Sequence, residues 1–98
     1  MKPGYNTNGL AFHRWDDAIQ LLAETGYQSV ALTVDHYCLN PYADGLQQRL
    51  QEMQALLQKY QLSSVIETGA RFLLDPREKH EPTLLTGDPA ARARRIDF

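Results

Sequence analysis

The sequence predicts an α/β fold of parallel βα units. Three features predict it: short β-branched runs alternate with amphipathic segments, successive strands end near Asn6, Asp35 and Glu67, and each of those ends is polar. The spacing between ends is about 30 residues, the length of one strand-helix unit. It repeats architecture, not residue identity.

Lys2 to Tyr5 reads as a short first strand that runs into "NTNG", where Asn and Gly suit turns and positive φ angles. From Trp15 to Ala23 the apolar residues Trp15, Ala18, Ile19 and Leu22 recur at three- and four-residue steps. Asp16 and Asp17 lie near the start and Thr25-Gly26 at the end, so the segment is a helix with a glycine stop. Ser29 to Val34 is a nearly continuous apolar and β-branched run, as expected for a strand covered on both faces.

Leu46, Leu50, Met53, Leu57 and Tyr60 mark one face of a long helix, and polar residues fill the rest. Gln61-Leu62 links it to a third strand, Ser63 to Glu67, followed by a polar loop over 68–87. Asp88-Pro89 has the form of an N-cap with proline at the first helical position, which opens a further helix.

Strands separated by helices pair in parallel through right-handed crossovers. With helices on one face, the other face of a three-stranded sheet is expected to be apolar, with two edges unpaired. Residues 1–98 are therefore expected to form a single partial domain. A complete TIM (β/α)8 barrel needs about 250 residues, so the chain would supply its first three to four βα units. Ile96-Asp97-Phe98 agrees, because it stops inside an amphipathic pattern. A smaller open α/β sheet with a partner chain is the alternative.

Composition bounds the function. A chain of 98 residues with 43% hydrophobic residues and a formal net charge of -2 belongs with soluble folded proteins, not disordered tails. No apolar run approaches the roughly 20 residues of a spanning helix, and "MKPGYNTNGL" lacks the hydrophobic core of a signal peptide. A cytoplasmic protein without a membrane partner is expected. Cys38 is the only cysteine, which excludes an intrachain disulfide and a cysteine-based zinc site and leaves a small semi-buried side chain. The slightly acidic balance gives no broad footprint for nucleic acid, although "RARRIDF" is locally basic.

In a parallel sheet the residues after each strand gather on one rim, where ligands bind. That rim holds Tyr5-Asn6-Thr7-Asn8, Asp35-His36 and Glu67-Thr68. We take Asn6, Asn8, His36, Glu67 and Arg71 as candidate substrate-binding residues and assign no catalytic residue. Asn6 and Asn8 each offer a donor and an acceptor to carbohydrate hydroxyls, although turns favour asparagine without such a role. Glu67 either faces a ligand or pairs with Arg71 or His36 to hold the loop. His36 follows an acidic residue at a strand end and suits a metal or a substrate hydroxyl, but no ligand spacing accompanies it, so no metal ligand is assigned.

Arg71, Arg77 and Lys79 are interleaved with Asp75, Glu78 and Glu81, the pattern of a solvated loop. His13 and His80 are read as solvated and Trp15 as core. The loop 68–87 is long for a strand-to-helix connection, which suggests a lid, a binding loop or an interface anchored by Phe72, Leu73 and Leu74.

"KPGYNTNGL", "SVALTVDHY" and "SSVIETGARFLLDP" together resemble the opening of the xylose-isomerase-like sugar (phosphate) isomerase and epimerase barrels. The resemblance extends to "LLTGDPAARARRIDF", near the third helix. It implies a carbohydrate substrate and a divalent metal (Mg, Mn or Zn) that polarises a carbonyl and hydroxyl while a carboxylate removes the neighbouring proton. The metal ligands of such barrels, typically two Glu, an Asp and a His, are expected mostly beyond residue 98. Asn6, His36 and Glu67 would then lie on the substrate side, and this chain alone is expected to be inactive. Two alternatives remain: an abasic-site endonuclease-like phosphodiesterase, whose DNA-binding face should be basic, and a non-catalytic half-barrel that self-associates and binds a ligand or partner.

Overall fold

The structure, a computed structural model, describes residues 1–98 as two compact units, Met1–Thr68 and Gly69–Phe98. It is a mixed α/β protein with one three-stranded parallel sheet and three α-helices.

The first unit runs β1 (Gly4–Asn6), a 3-10 turn (Thr7–Leu10), α1 (Trp15–Glu24), β2 (Ser29–Thr33), α2 (Leu46–Lys59) and β3 (Ser63–Glu67). The strands lie in the order β1-β2-β3, with Asn6 beside Ala31 and Ala31 beside Val65. The first strand begins later than predicted. Pro3 has no N–H to give to a ladder, and its carbonyl instead accepts from Gln28 and Ser29 N–H.

Both helices stop by the same device. Gly26 at φ 100° follows α1, and the N–H groups of Gly26 and Tyr27 return to the carbonyls of Ala23 and Leu22. Gln61 at φ 54° follows α2, and the N–H groups of Gln61 and Leu62 return to Gln58 and Leu57. Each is a Schellman closure that satisfies otherwise unpaired carbonyls at the helix end. The second is made without glycine.

Ile19, Leu22, Val30, Leu32, Met53 and Leu62 are buried and form the core. Burying an Ile or Val side chain contributes about 1.5–3 kcal/mol, and Ile19 and Val30 are wholly enclosed. The other face of the sheet differs from the apolar surface expected. Side chains alternate along a strand, so Gly4, Asn6, Ser29, Ala31, Thr33, Ser63, Val65 and Glu67 share it through the observed register. Most are small or polar. Along β2 and the residue that follows it, Val30, Leu32, Thr33 and Val34 are buried, while Ala31 on the open face is half-buried.

The second unit is the loop that precedes α3 (Pro89–Asp97), together with that helix. Asp88 caps α3 by accepting from Ala90 N–H at 3.1 Å, and Pro89 occupies its first position, as predicted. Arg92, Arg94 and Arg95 donate to the carbonyls of Thr86, Leu74 and His80, so the basic stretch ties the loop to its helix. No helix is long and apolar enough to cross a membrane.

Candidate functional site

The uncovered face of the sheet carries a shallow groove of about 350 Å³, lined by Gly4, Asn6, Ser29, Ala31, Val65 and Glu67, with Tyr5 at its side. Parallel register places Glu67 beside Thr33 at the ends of β3 and β2. The Thr33 hydroxyl donates to Glu67 Oε2 at 2.8 Å. Thr33 is itself buried, and its backbone N–H donates to Thr7 Oγ1 at 3.0 Å. A threonine side chain thereby continues the β1–β2 pairing past the end of β1 and fixes the residue that orients Glu67.

Asn6 caps the 3-10 turn, with its Oδ1 accepting from Gly9 N–H at 2.7 Å. Its amide nitrogen remains as a donor on the groove. The groove therefore combines a carboxylate acceptor, an amide donor and the Ser29 hydroxyl over a floor of small side chains. That set complements vicinal hydroxyls, which both donate and accept.

The sequence candidates divide between places. Asn6 and Glu67 come together in the groove, while Asn8 lies half-buried in the 3-10 turn and is not among the lining residues. His36 is exposed and lines a separate polar hollow with Asn40, Asp44, Gln48, Arg49 and Glu52. Arg71 belongs to the second unit. There, at φ 45°, its carbonyl accepts from His80 N–H at 2.6 Å and its own N–H reaches His80 Nδ1 at 3.2 Å.

His80 corrects the solvated reading. It is half-buried, and its Nδ1 also contacts the Gly69 carbonyl, because the tight turn at Ala70 and Arg71 folds the chain back onto the ring. His13 is exposed as expected. Asp35 is buried, and its Oδ1 accepts from Tyr37 and Cys38 N–H at 2.9 and 2.7 Å, so this rim carboxylate shapes its own turn. Glu67 takes its hydrogen bond from Thr33, a partner the sequence reading did not consider.

Cys38 is buried, and burial pushes its thiol pKa up, with the Asp35 charge adding to the rise. A hydrogen bond to Thr7 and the Arg49 charge oppose it. It is a packing residue, not an activated nucleophile. Trp15 is half-buried, with the Arg49 guanidinium 4.7 Å from its ring centroid, so it is less enclosed than a core residue.

The divalent metal implied by the family resemblance does not fit these residues. Glu67 is the one carboxylate lining the sheet groove, and no group of three His, Cys, Asp or Glu side chains converges anywhere in the chain. No metal-dependent step is derived from them.

Comparison of the chain with family models, curated proteins and solved structures returns no match. The functional reading therefore rests on the residues and their geometry.

Proposed function

We propose that the chain forms part of the wall of a (β/α)8 barrel, and that the strand ends at Asn6 and Glu67, on the uncovered side of its sheet, bind a sugar or sugar phosphate in the manner of xylose-isomerase-like isomerases and epimerases. The observation that carries this reading is the Thr33–Glu67 hydrogen bond at adjacent strand ends, which sets the Glu67 carboxylate beside Asn6 on the open groove. Strand ends of parallel sheets are where α/β proteins place their ligands. Glu67 is held from one oxygen and offers Oε1 to a ligand hydroxyl, while Asn6 offers its amide N–H.

In the complete barrel this wall would position the sugar while a carboxylate base moves the proton beside its carbonyl. A divalent metal would supply carbonyl polarisation from ligands on other strands, and the chain alone is expected to be inactive. Titration with xylose and with ribose phosphate, followed by amide NMR, tests the binding role. Saturable shifts confined to Asn6, Thr33, Glu67 and their neighbours, weakened about 10-fold by Glu67→Gln, are expected from the loss of a charged hydrogen bond. Shifts elsewhere, or none that saturate, sink the proposal.

A second reading is favoured by β3, where Val65 is 60% and Ile66 54% exposed on a strand with one unpaired edge. Such an edge is a template for another strand. In this reading the chain is a half-barrel that self-associates through β3 and binds a ligand without catalysis. Light scattering that finds a discrete oligomer, dispersed by Ile66→Lys, supports it; a monomer at all accessible concentrations rules it out.

A further inference from the structure

A second groove, of about 690 Å³, lies where α1 begins and is lined by Phe12, His13, Arg14, Trp15, Tyr37 and Arg49. Phe12 is fully exposed and Tyr37 is 71% exposed. These rings leave much of their apolar surface in water, and the fold gains little from them there. No carboxylate lines the groove. Arg14 is already paired with Asp16 at 3.0 Å, and the nearby Asp35 carboxylate accepts from its own turn.

Arg49 is different. One face of its guanidinium lies over Trp15, and its Nη1 donates to the carbonyls of Cys38 at 2.7 Å and Tyr37 at 3.3 Å. These contacts hold the group rigidly without neutralising it, since carbonyls and a ring remove no charge. Asp44 and Glu52 share a neighbouring hollow with Arg49, but neither forms an ion pair with it, and Glu52 accepts from Gln48 instead. The Nε and Nη2 edge therefore takes no partner, and it is the planar fork that matches a carboxylate or phosphate with two parallel hydrogen bonds.

We propose that this groove binds a planar aromatic anion, with the ring stacked against Phe12 and Tyr37 and the anionic group on Arg49. The chemistry is shared by a nucleoside monophosphate and by a free aromatic acid. A groove of this volume falls within the range of about 300–1,000 Å³ for small-molecule sites. The proposal does not rest on the sugar-binding reading, because the two grooves share no lining residue.

Trp15 is the only tryptophan of the chain, so its fluorescence reports on this groove. The experiment titrates the protein with adenosine monophosphate, naphthoate, adenosine and inorganic phosphate. Both ring-bearing anions should quench saturably, with whichever binds more tightly identifying the source of the ligand. Adenosine and phosphate should each bind at least about 10-fold more weakly, as expected when either stacking or the charged hydrogen bonds are absent.

Phe12→Ala and Tyr37→Ala should each weaken the anions about 10-fold, while circular dichroism shows an unchanged fold. Glu67→Gln should leave the quenching unaltered, which separates failure here from failure of the sugar-binding role. Equal affinity for adenosine and adenosine monophosphate, quenching that survives both ring substitutions, or the absence of saturable quenching by either anion overturns the proposal.

Discussion

The hydroxyl of Thr33 donates to Glu67 Oε2 at 2.8 Å across the β2–β3 register, while the Thr33 backbone N–H is held by Thr7. Three residues from three successive strand ends are thus linked, and one of them is a carboxylate on the open groove. Thr33→Val keeps the shape of the side chain and removes the donor. Because Glu67 is only half-buried and can turn to water, the loss of stability should be about 1 kcal/mol. Sugar binding should weaken as well, since Glu67 would no longer be oriented. Urea unfolding and the sugar titration measure the two effects separately, and a Thr33→Val protein with unchanged affinity would show that Thr33 does not position Glu67.

Gln61 stands at φ 54° in the closure that ends α2, where the equivalent position after α1 is Gly26. A side chain in the left-handed region carries a steric penalty that glycine avoids, although glycine also loses more freedom on folding. At a helix C′ position the steric term is the larger. Gln61→Gly should therefore stabilise the chain by about 0.5–1 kcal/mol. Thermal unfolding checks the sign, and a lowered midpoint would mean that Gln61 contributes more through its side chain than its backbone conformation costs.

Much of this architecture was legible in the residues. The β3 boundaries, the start of α2 and the Asp88-Pro89 opening of α3 follow from β-branched patterning, apolar spacing and capping chemistry, all of which are local. The ends of the helices were legible too, although Gln61 concealed a closure normally signalled by glycine. The character of the open face was not. It depends on which alternate residues of β2 face the helices, and a run such as Ser29 to Thr33 reads as apolar until the register sets Ala31 and Thr33 beside Val65 and Glu67.

The site was legible in part for the same reason. Glu67 and Asn6 stand out as polar residues at strand ends, whereas Thr33 is an ordinary β-branched strand residue until pairing places it beside Glu67. Counting two residues back from Asp35 along the strand face was the signal that could have found it. Arg49 was hidden more deeply. It belongs to the polar side of α2, and only tertiary packing brings it over Trp15.

That packing gives Arg49 a structural role that can be measured. Its guanidinium joins α2 to the α1 residue Trp15 and to two carbonyls in the loop after β2. Arg49→Met retains much of the stem and removes the charge and the donors. A loss of about 2 kcal/mol is expected, combining the cation–π contact with hydrogen bonds from a charged donor. Trp15 emission should change in the folded state. Unfolding that matches the unsubstituted chain within about 0.5 kcal/mol would place Arg49 among surface residues of little consequence.

The elevated thiol pKa of Cys38 links stability to alkaline pH. Burial favours the neutral thiol in the folded chain, whereas in the unfolded chain the thiol ionises near its ordinary value of 9.0. Below that value both states hold the proton and the stabilisation is fully present. As pH rises through it, the unfolded chain releases its proton first, binds fewer protons than the folded chain, and is favoured. Stability should therefore fall from about pH 9 toward the folded-state pKa, beyond the fall caused by other groups. Urea unfolding of the unsubstituted chain and of Cys38→Ala across this range isolates the effect. The substituted chain should be less stable at neutral pH, because it loses buried sulfur contacts, and its curve should decline less steeply above pH 9. Parallel curves would mean that Cys38 is readily hydrated in the folded protein, contrary to its burial.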